Sequence, residues 1–311
     1  MAVDRVTRFA LLSGALACVI VGGSVPVTGM LDGYPLLAGQ AMRYVLSGLV
    51  LVAWARLRRR PLPRPAPRDL VSLVGLAAIG ALGFNACLLV AQRYAEPGFV
   101  AALLGGTPLV LALLAPLLTG RRPAPLTLAG AAAVAAGIVV LTGGGSWHGP
   151  GLLLAVLTML CEAAFTLFAI GVVARIGAFA VATWCCLLAG ALGFAGAVVL
   201  DGRWQLPSPR ETLALLVLAV VVTAVGFCLW YRSVSVLGAD RAGVLVGLMP
   251  VSGLLVSVTL GAQPARLVSA LGVALVTAGC ILGLHRRRQL STPPPTVHNQ
   301  TEVDHPTPAR R

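Results

Sequence analysis

The chain has 311 residues, 58% of them hydrophobic and 11% charged, where a soluble domain carries about 25% charged residues. Together with a mean hydropathy of +0.92, this excludes an ordinary soluble globule and predicts an all-α polytopic membrane protein. All 23 basic residues are arginine and the net charge is +13, but the arginines sit mainly beside apolar runs, which fits membrane topology better than nucleic-acid binding.

In chain order, ten apolar spans are predicted. Span 1, Phe9–Met30, starts like a signal peptide and even carries a weak lipoprotein-like box, Ala15-Leu16-Ala17-Cys18. The apolar run continues past that box, so a retained helix is expected. Span 2 covers Tyr34–Ala55 and ends in Arg56, Arg58, Arg59 and Arg60. Span 3 is Leu70–Gln92, span 4 Gly98–Leu118 and span 5 Leu126–Thr142. The second half repeats the series with Gly151–Val173, Phe179–Leu200, Leu213–Ser233, Ala242–Leu260 and Leu267–Leu284. Spans of roughly 17–23 residues give about 25–35 Å of helix, the thickness of a bilayer core. The units read as 1–143 and 148–288, followed by a proline-rich polar tail, 289–311, expected to be disordered and cytoplasmic.

One stretch occurs twice. Leu103-x-Gly105-x-x-Pro108 is followed by Gly130 and Gly137, and Leu245-x-Gly247-x-x-Pro250 by Gly272 and Gly279. The copies are offset by 142 residues, near half the length, so the chain is two similar halves rather than a repeat array. Pro108 and Pro250 lie near the middle of spans 4 and 9, where a proline kinks a helix. Paired, proline-interrupted spans in matching positions point to a transporter's binding region.

Arginine asymmetry predicts orientation. With the N-terminus inside, the inner segments hold 18 arginines and the outer loops 4, with Arg43 within the membrane. Both termini are then cytoplasmic. Five spans per half is an odd number, which makes the second half inverted relative to the first. Trp54, Trp147 and Trp204 fall near the interfaces, as an aromatic belt would place them.

Ten spans in two five-helix units, the doubled Leu-x-Gly-x-x-Pro…Gly…Gly pattern and an arginine early in span 2 (Arg43 in Ala41-Met42-Arg43-Tyr44) resemble the EamA family of the drug/metabolite transporter superfamily, over about residues 10–288. The sequence departs from that pattern where Gly120 is followed by Arg121 and Gly261 by Ala262 rather than by an acid. It departs again in Gly22-Gly23-Ser24, which replaces a tryptophan-glycine opening of span 1. The resemblance implies secondary transport, often efflux, of small organic metabolites across the inner membrane, without naming the metabolite.

Ionisable groups at membrane depth are costly and usually face protein or a water-filled cavity. Glu162 is central in span 6, and Thr158, Glu162 and Thr166 share a face. Glu162 is either a carboxyl hydrogen-bonded to a neighbouring helix or a proton carrier and substrate contact. Arg43 lies roughly 13 Å deep in span 2, on a face with Gln40 and Ser47. It is either structural, bonding backbone carbonyls, or attracts a substrate carboxylate or pairs with Glu162. Asn85 and Gln92 on span 3, Thr223, Phe227 and Trp230 on span 8, Met249, Ser252 and Thr259 on span 9, and Ser24 and Thr28 on span 1 sketch a cavity lined from both halves. Each alone is as well explained by helix packing. Glu96 and Asp240 read as solvated residues at helix starts.

Rival classes fit less well. A membrane enzyme acting on lipid-linked substrates needs clustered acids, histidines or metal ligands near an interface, and the four histidines (His148, His285, His298, His305) lie outside the spans or at their ends. The cysteines show no C-x-x-C or disulfide framework. A non-transporting scaffold needs no polar midplane. The expectation is therefore a transporter, not an enzyme, with no cofactor and no metal. Its partners are a small-molecule substrate and the lipid bilayer, and a homodimer is left open.

Overall fold

The computed structural model describes residues 2–107, 109–110, 113, 125–143, 147–201, 205–237, 242 and 245–284. Among these, every regular element is helical. In chain order they are α1 (Ala2–Gly29), α2 (Leu36–Leu57), α3 (Pro67–Ala91), α4 (Pro97–Leu104), α5 (Pro125–Gly143), α6 (Gly151–Ile176), α7 (Ala178–Asp201), α8 (Pro209–Leu237), α9 (Leu245–Thr259) and α10 (Leu267–Leu284). Helices α1, α2, α3, α6, α7 and α8 are long and apolar enough to cross a membrane; α5, α9 and α10 contain shorter apolar stretches. Pro108, Arg121, Arg122, Trp204, Asp240 and the tail 289–311 lie outside the described residues.

The starts of several helices follow from local chemistry. Pro67, Pro97, Pro125 and Pro209 each open a helix; proline's missing N–H costs nothing there and its φ is already helical. At α8, Ser208 Oγ accepts from the Glu211 N–H at 3.3 Å while Glu211 Oε2 accepts from the Ser208 N–H at 2.7 Å, a reciprocal cap.

Within α3 and α8 the backbone widens into π-helical segments, Leu76–Gly83 and Val217–Val225. Adding the 142-residue offset to the first gives 218–225, so the two distortions occupy equivalent positions in the two halves. Hydropathy predicts plain helices here, because π and α segments are equally apolar.

The proline of span 9 sits differently from the expected mid-helix kink. A short 3-10 turn, Leu245–Gly247, precedes the α-helical part of α9, Leu248–Thr259. Pro250 therefore falls in the first α-helical turn, where proline is tolerated. Gly105 of the first motif lies against Pro250 of the second.

The duplicated glycines have a shared use. A Cβ on Gly137 would lie 2.8 Å from Val276 N and 3.0 Å from Gly272 O, and one on Gly279 would lie 2.8 Å from Val134 N and 2.9 Å from Gly130 O. The bare glycines let α5 and α10 touch backbone to backbone, the close approach that membrane helices use where apolar burial offers no drive. The contacts run antiparallel, early residues of α5 meeting late residues of α10. They are also reciprocal, since Val276, Gly272 and Gly279 are Val134, Gly130 and Gly137 shifted by 142.

Candidate functional site

Helix α2 carries a polar face into the bundle: Gln40, Arg43 and Ser47 are all buried, Arg43 at 4% exposure. This face lies against the π segments of α3 and α8. Ser47 Oγ reaches Ala219 O at 2.9 Å, in the π segment of α8. Arg43 Nε donates to Thr223 Oγ1 at 2.8 Å, in the same segment, and Thr223 in turn donates to Leu218 O at 2.8 Å. On the other side Arg43 Nη1 donates to Asn85 Oδ1 at 2.6 Å. Asn85 Nδ2 then donates to Tyr44 Oη and to Ala81 O, both at 2.8 Å, the latter carbonyl in the π segment of α3. The guanidinium also sits 5.3 Å from the Tyr44 ring centroid.

Among the described residues, the side-chain hydrogen-bond partners of Arg43 are thus neutral. Glu162 does not pair with it. The Glu162 side chain is half-buried on α6, and among the described residues its carboxyl makes no hydrogen bond or ion pair.

Arg43, Asn85, Glu162 and Trp230 line one cavity, with Ser24 and Tyr44 completing its polar wall. Helices α1, α2 and α3 of the first half and α6, α8 and α9 of the second all contribute. Its apolar wall includes Phe84, Phe165, Phe227 and Met249. Phe165 packs on Phe227 at 5.0 Å between centroids and stacks on Tyr231 at 5.6 Å. The ring reaches this position because Gly80, in the π segment, carries no side chain; a Cβ there would lie 2.7 Å from Phe165 Cδ2. The cavity measures about 40 Å³, room for a few water molecules and less than a metabolite needs.

Other residues singled out from the sequence lie elsewhere. Gln92 lines a separate cavity with Asp32, Arg210 and Gly261 at the end of the bundle that holds the α1–α2 link. Thr158 and Thr166 are buried and turn back to their own helix, donating to Leu154 O at 2.8 Å and Glu162 O at 3.3 Å. Ser252 donates to Met249 O at 3.1 Å and packs on Gly22. Glu96 stands at the start of α4, partly exposed as expected, and its carboxylate also accepts from Arg266 Nη1 at 2.8 Å, joining α4 to the link before α10. Tyr44 and Phe165 were not candidates by sequence. The signals available were adjacency to Arg43 and an i+3 position from Glu162, and both are weak.

No group of three or more metal-ligating side chains occurs among the described residues.

The EamA-like transporter family matches residues 8–143 and again 149–284. Two relatives from Bacillus subtilis (strain 168) are similar over nearly the whole chain. The uncharacterized transporter YetK is 26% identical over 291 residues, covering 90% of this chain and 88% of its own. The uncharacterized transporter YdeK is 26% identical over 286 residues, covering 88% and 96%. A solved crystal structure superposes with a TM-score of 0.69 at 23% identity, covering 90% of this chain and 99% of that one, a likeness of fold.

Proposed function

The chain belongs to the EamA-like transporter family, and from that premise we propose that it is a secondary transporter exporting a small organic metabolite across the bacterial inner membrane, with proton coupling through Glu162. That it is a membrane transporter and not an enzyme follows from the family and from two relatives that carry the transporter name. Substrate chemistry, direction and coupling are our reading.

One observation carries it: Arg43 and Glu162 line the same cavity between the two halves without pairing with each other. A cation held at membrane depth by neutral acceptors alone is costly unless an anion visits it. Arg43 supplies the docking point for a substrate carboxylate. Glu162 supplies a carboxyl that takes up either a proton or a substrate amino group. The aromatic wall accepts the apolar remainder. The narrowness of the cavity matches an occluded arrangement that must open to either side. We take the bundle as ten spans in two inverted units with both termini cytoplasmic, a reading supported by the antiparallel, reciprocal contact of α5 with α10.

The test is Glu162→Gln in proteoliposomes with a panel of labelled amino-carboxylates. The substitution keeps shape and hydrogen bonding but removes titration. Accumulation driven by a pH gradient should fail while exchange at equal pH survives. A Gln variant that concentrates substrate like wild type refutes coupling through Glu162.

A further inference from the structure

At its arginine-rich end, α2 closes with an unusual turn. Arg58 N donates to Trp54 O at 3.0 Å and Arg60 N reaches back to Ala55 O at 2.8 Å, the six-to-one closure that normally places glycine at the residue between. Here that residue is Arg59, in the left-handed region at φ 48°, a conformation that side chains other than glycine adopt at a cost. The turn brings Arg56, Arg59 and Arg60 around an open groove of about 510 Å³ whose apolar floor is Val52, Ala55 and Leu62.

Among the described residues none of these three guanidinium groups has an ion pair or side-chain hydrogen bond. The acid nearest in sequence, Asp69, is committed elsewhere: it accepts from Arg175 at 2.5 Å and from Ala66 N at 3.0 Å. Arg58 next to them is occupied over the Trp54 ring at 4.7 Å. The groove also sits where the apolar span of α2 gives way to polar residues, the level of lipid headgroups.

We propose that this groove is a binding site for one anionic phospholipid, its phosphodiester held by Arg56, Arg59 and Arg60 and its glycerol and first acyl carbons resting on Val52, Ala55 and Leu62. Orientation by charge alone needs arginines anywhere on this side of the membrane. It explains neither their convergence on an apolar floor nor a left-handed arginine where glycine would be relaxed. Arg64, exposed in the same link but outside the groove, separates the two explanations.

The experiment is native mass spectrometry of the full-length protein in neutral detergent with added phosphatidylglycerol or phosphatidylcholine. Wild type should retain phosphatidylglycerol selectively. R59G and R60Q should each weaken retention about fivefold, the effect of one arginine near an anionic headgroup, and R64Q should stay within about twofold of wild type. R59G is the decisive variant because glycine takes the same turn without strain, so its thermal unfolding temperature should be unchanged or higher. Equal retention of phosphatidylcholine, undiminished binding by R59G, or an equal loss in R64Q overturns the site. Displacement by glycerol phosphate at lipid-like concentrations would assign the groove to a free phosphoester and overturn the lipid.

Discussion

At the scale of single residues, the hydrogen-bonded chain Thr223–Arg43–Asn85–Tyr44 holds the centre of the bundle. Asn85 satisfies Arg43 through its oxygen and Tyr44 and Ala81 through its nitrogen, so its loss leaves Arg43 with Thr223 alone and Tyr44 with only its 3.4 Å bond to Ala81 O. Asn85→Ala should destabilise the protein by about 2–3 kcal/mol and Thr223→Val by less, about 1–2 kcal/mol. The double variant should be non-additive because both side chains serve one guanidinium. Thermal unfolding in detergent measures all three. Arg43→Lys should impair transport nearly as much as Arg43→Gln, since an ammonium cannot bond Thr223 and Asn85 along the two guanidinium edges. Transport by Arg43→Lys at wild-type rates would reduce Arg43 to a point charge. Arg43 and Glu162 were legible in the sequence because a charge within twenty apolar residues stands out. Thr158, Thr166 and Ser252 were not separable from them: spacing shows which residues share a face, not whether a hydroxyl turns to its own backbone. Tyr44 and Phe165 looked like packing residues because an aromatic side chain in an apolar span normally is one.

At the scale of elements, the helices were legible from hydropathy, since apolar length is what a bilayer selects. Their irregularities were not. The π segments of α3 and α8 contain ordinary apolar residues, and what distinguishes them is where Ser47, Asn85 and Thr223 find carbonyls. The repeated glycines were visible as a pattern, but their purpose required both halves together. Gly137→Ala and Gly279→Ala should each lower stability by about 1–3 kcal/mol, because the new methyl meets backbone rather than a side chain that can move. Gly247→Ala, where a Cβ makes only ordinary contacts with Thr277, Cγ2 at 3.6 Å and O at 4.0 Å, should be tolerated. Equal tolerance of all three, read as unfolding temperatures, would contradict the backbone contact between α5 and α10.

At the scale of the whole molecule, the expectation is a two-unit bundle inserted with both ends on the arginine-rich side. Reporter fusions after Arg60, Gly145 and Arg288 should read inside, outside and inside; an external signal from the last would sink the inverted arrangement. Ion pairs tie the bundle at both ends: Asp32 with Arg93 and Glu96 with Arg266 at one, Asp69 with Arg175 at the other. The first is exposed and the second partly so, and such pairs contribute little, so raised salt should leave the unfolding temperature nearly unchanged. The contact of α5 with α10 has a meaning beyond stability. Because each partner presents to the other the residues it receives, the same surface is self-complementary, as in a two-fold dimer. A half-length chain carrying Gly130, Val134 and Gly137 already owns both sides of that joint. It could close on a second copy of itself lying the opposite way up, and the covalent link through 144–150 turns such a chance meeting of two molecules into a property of one.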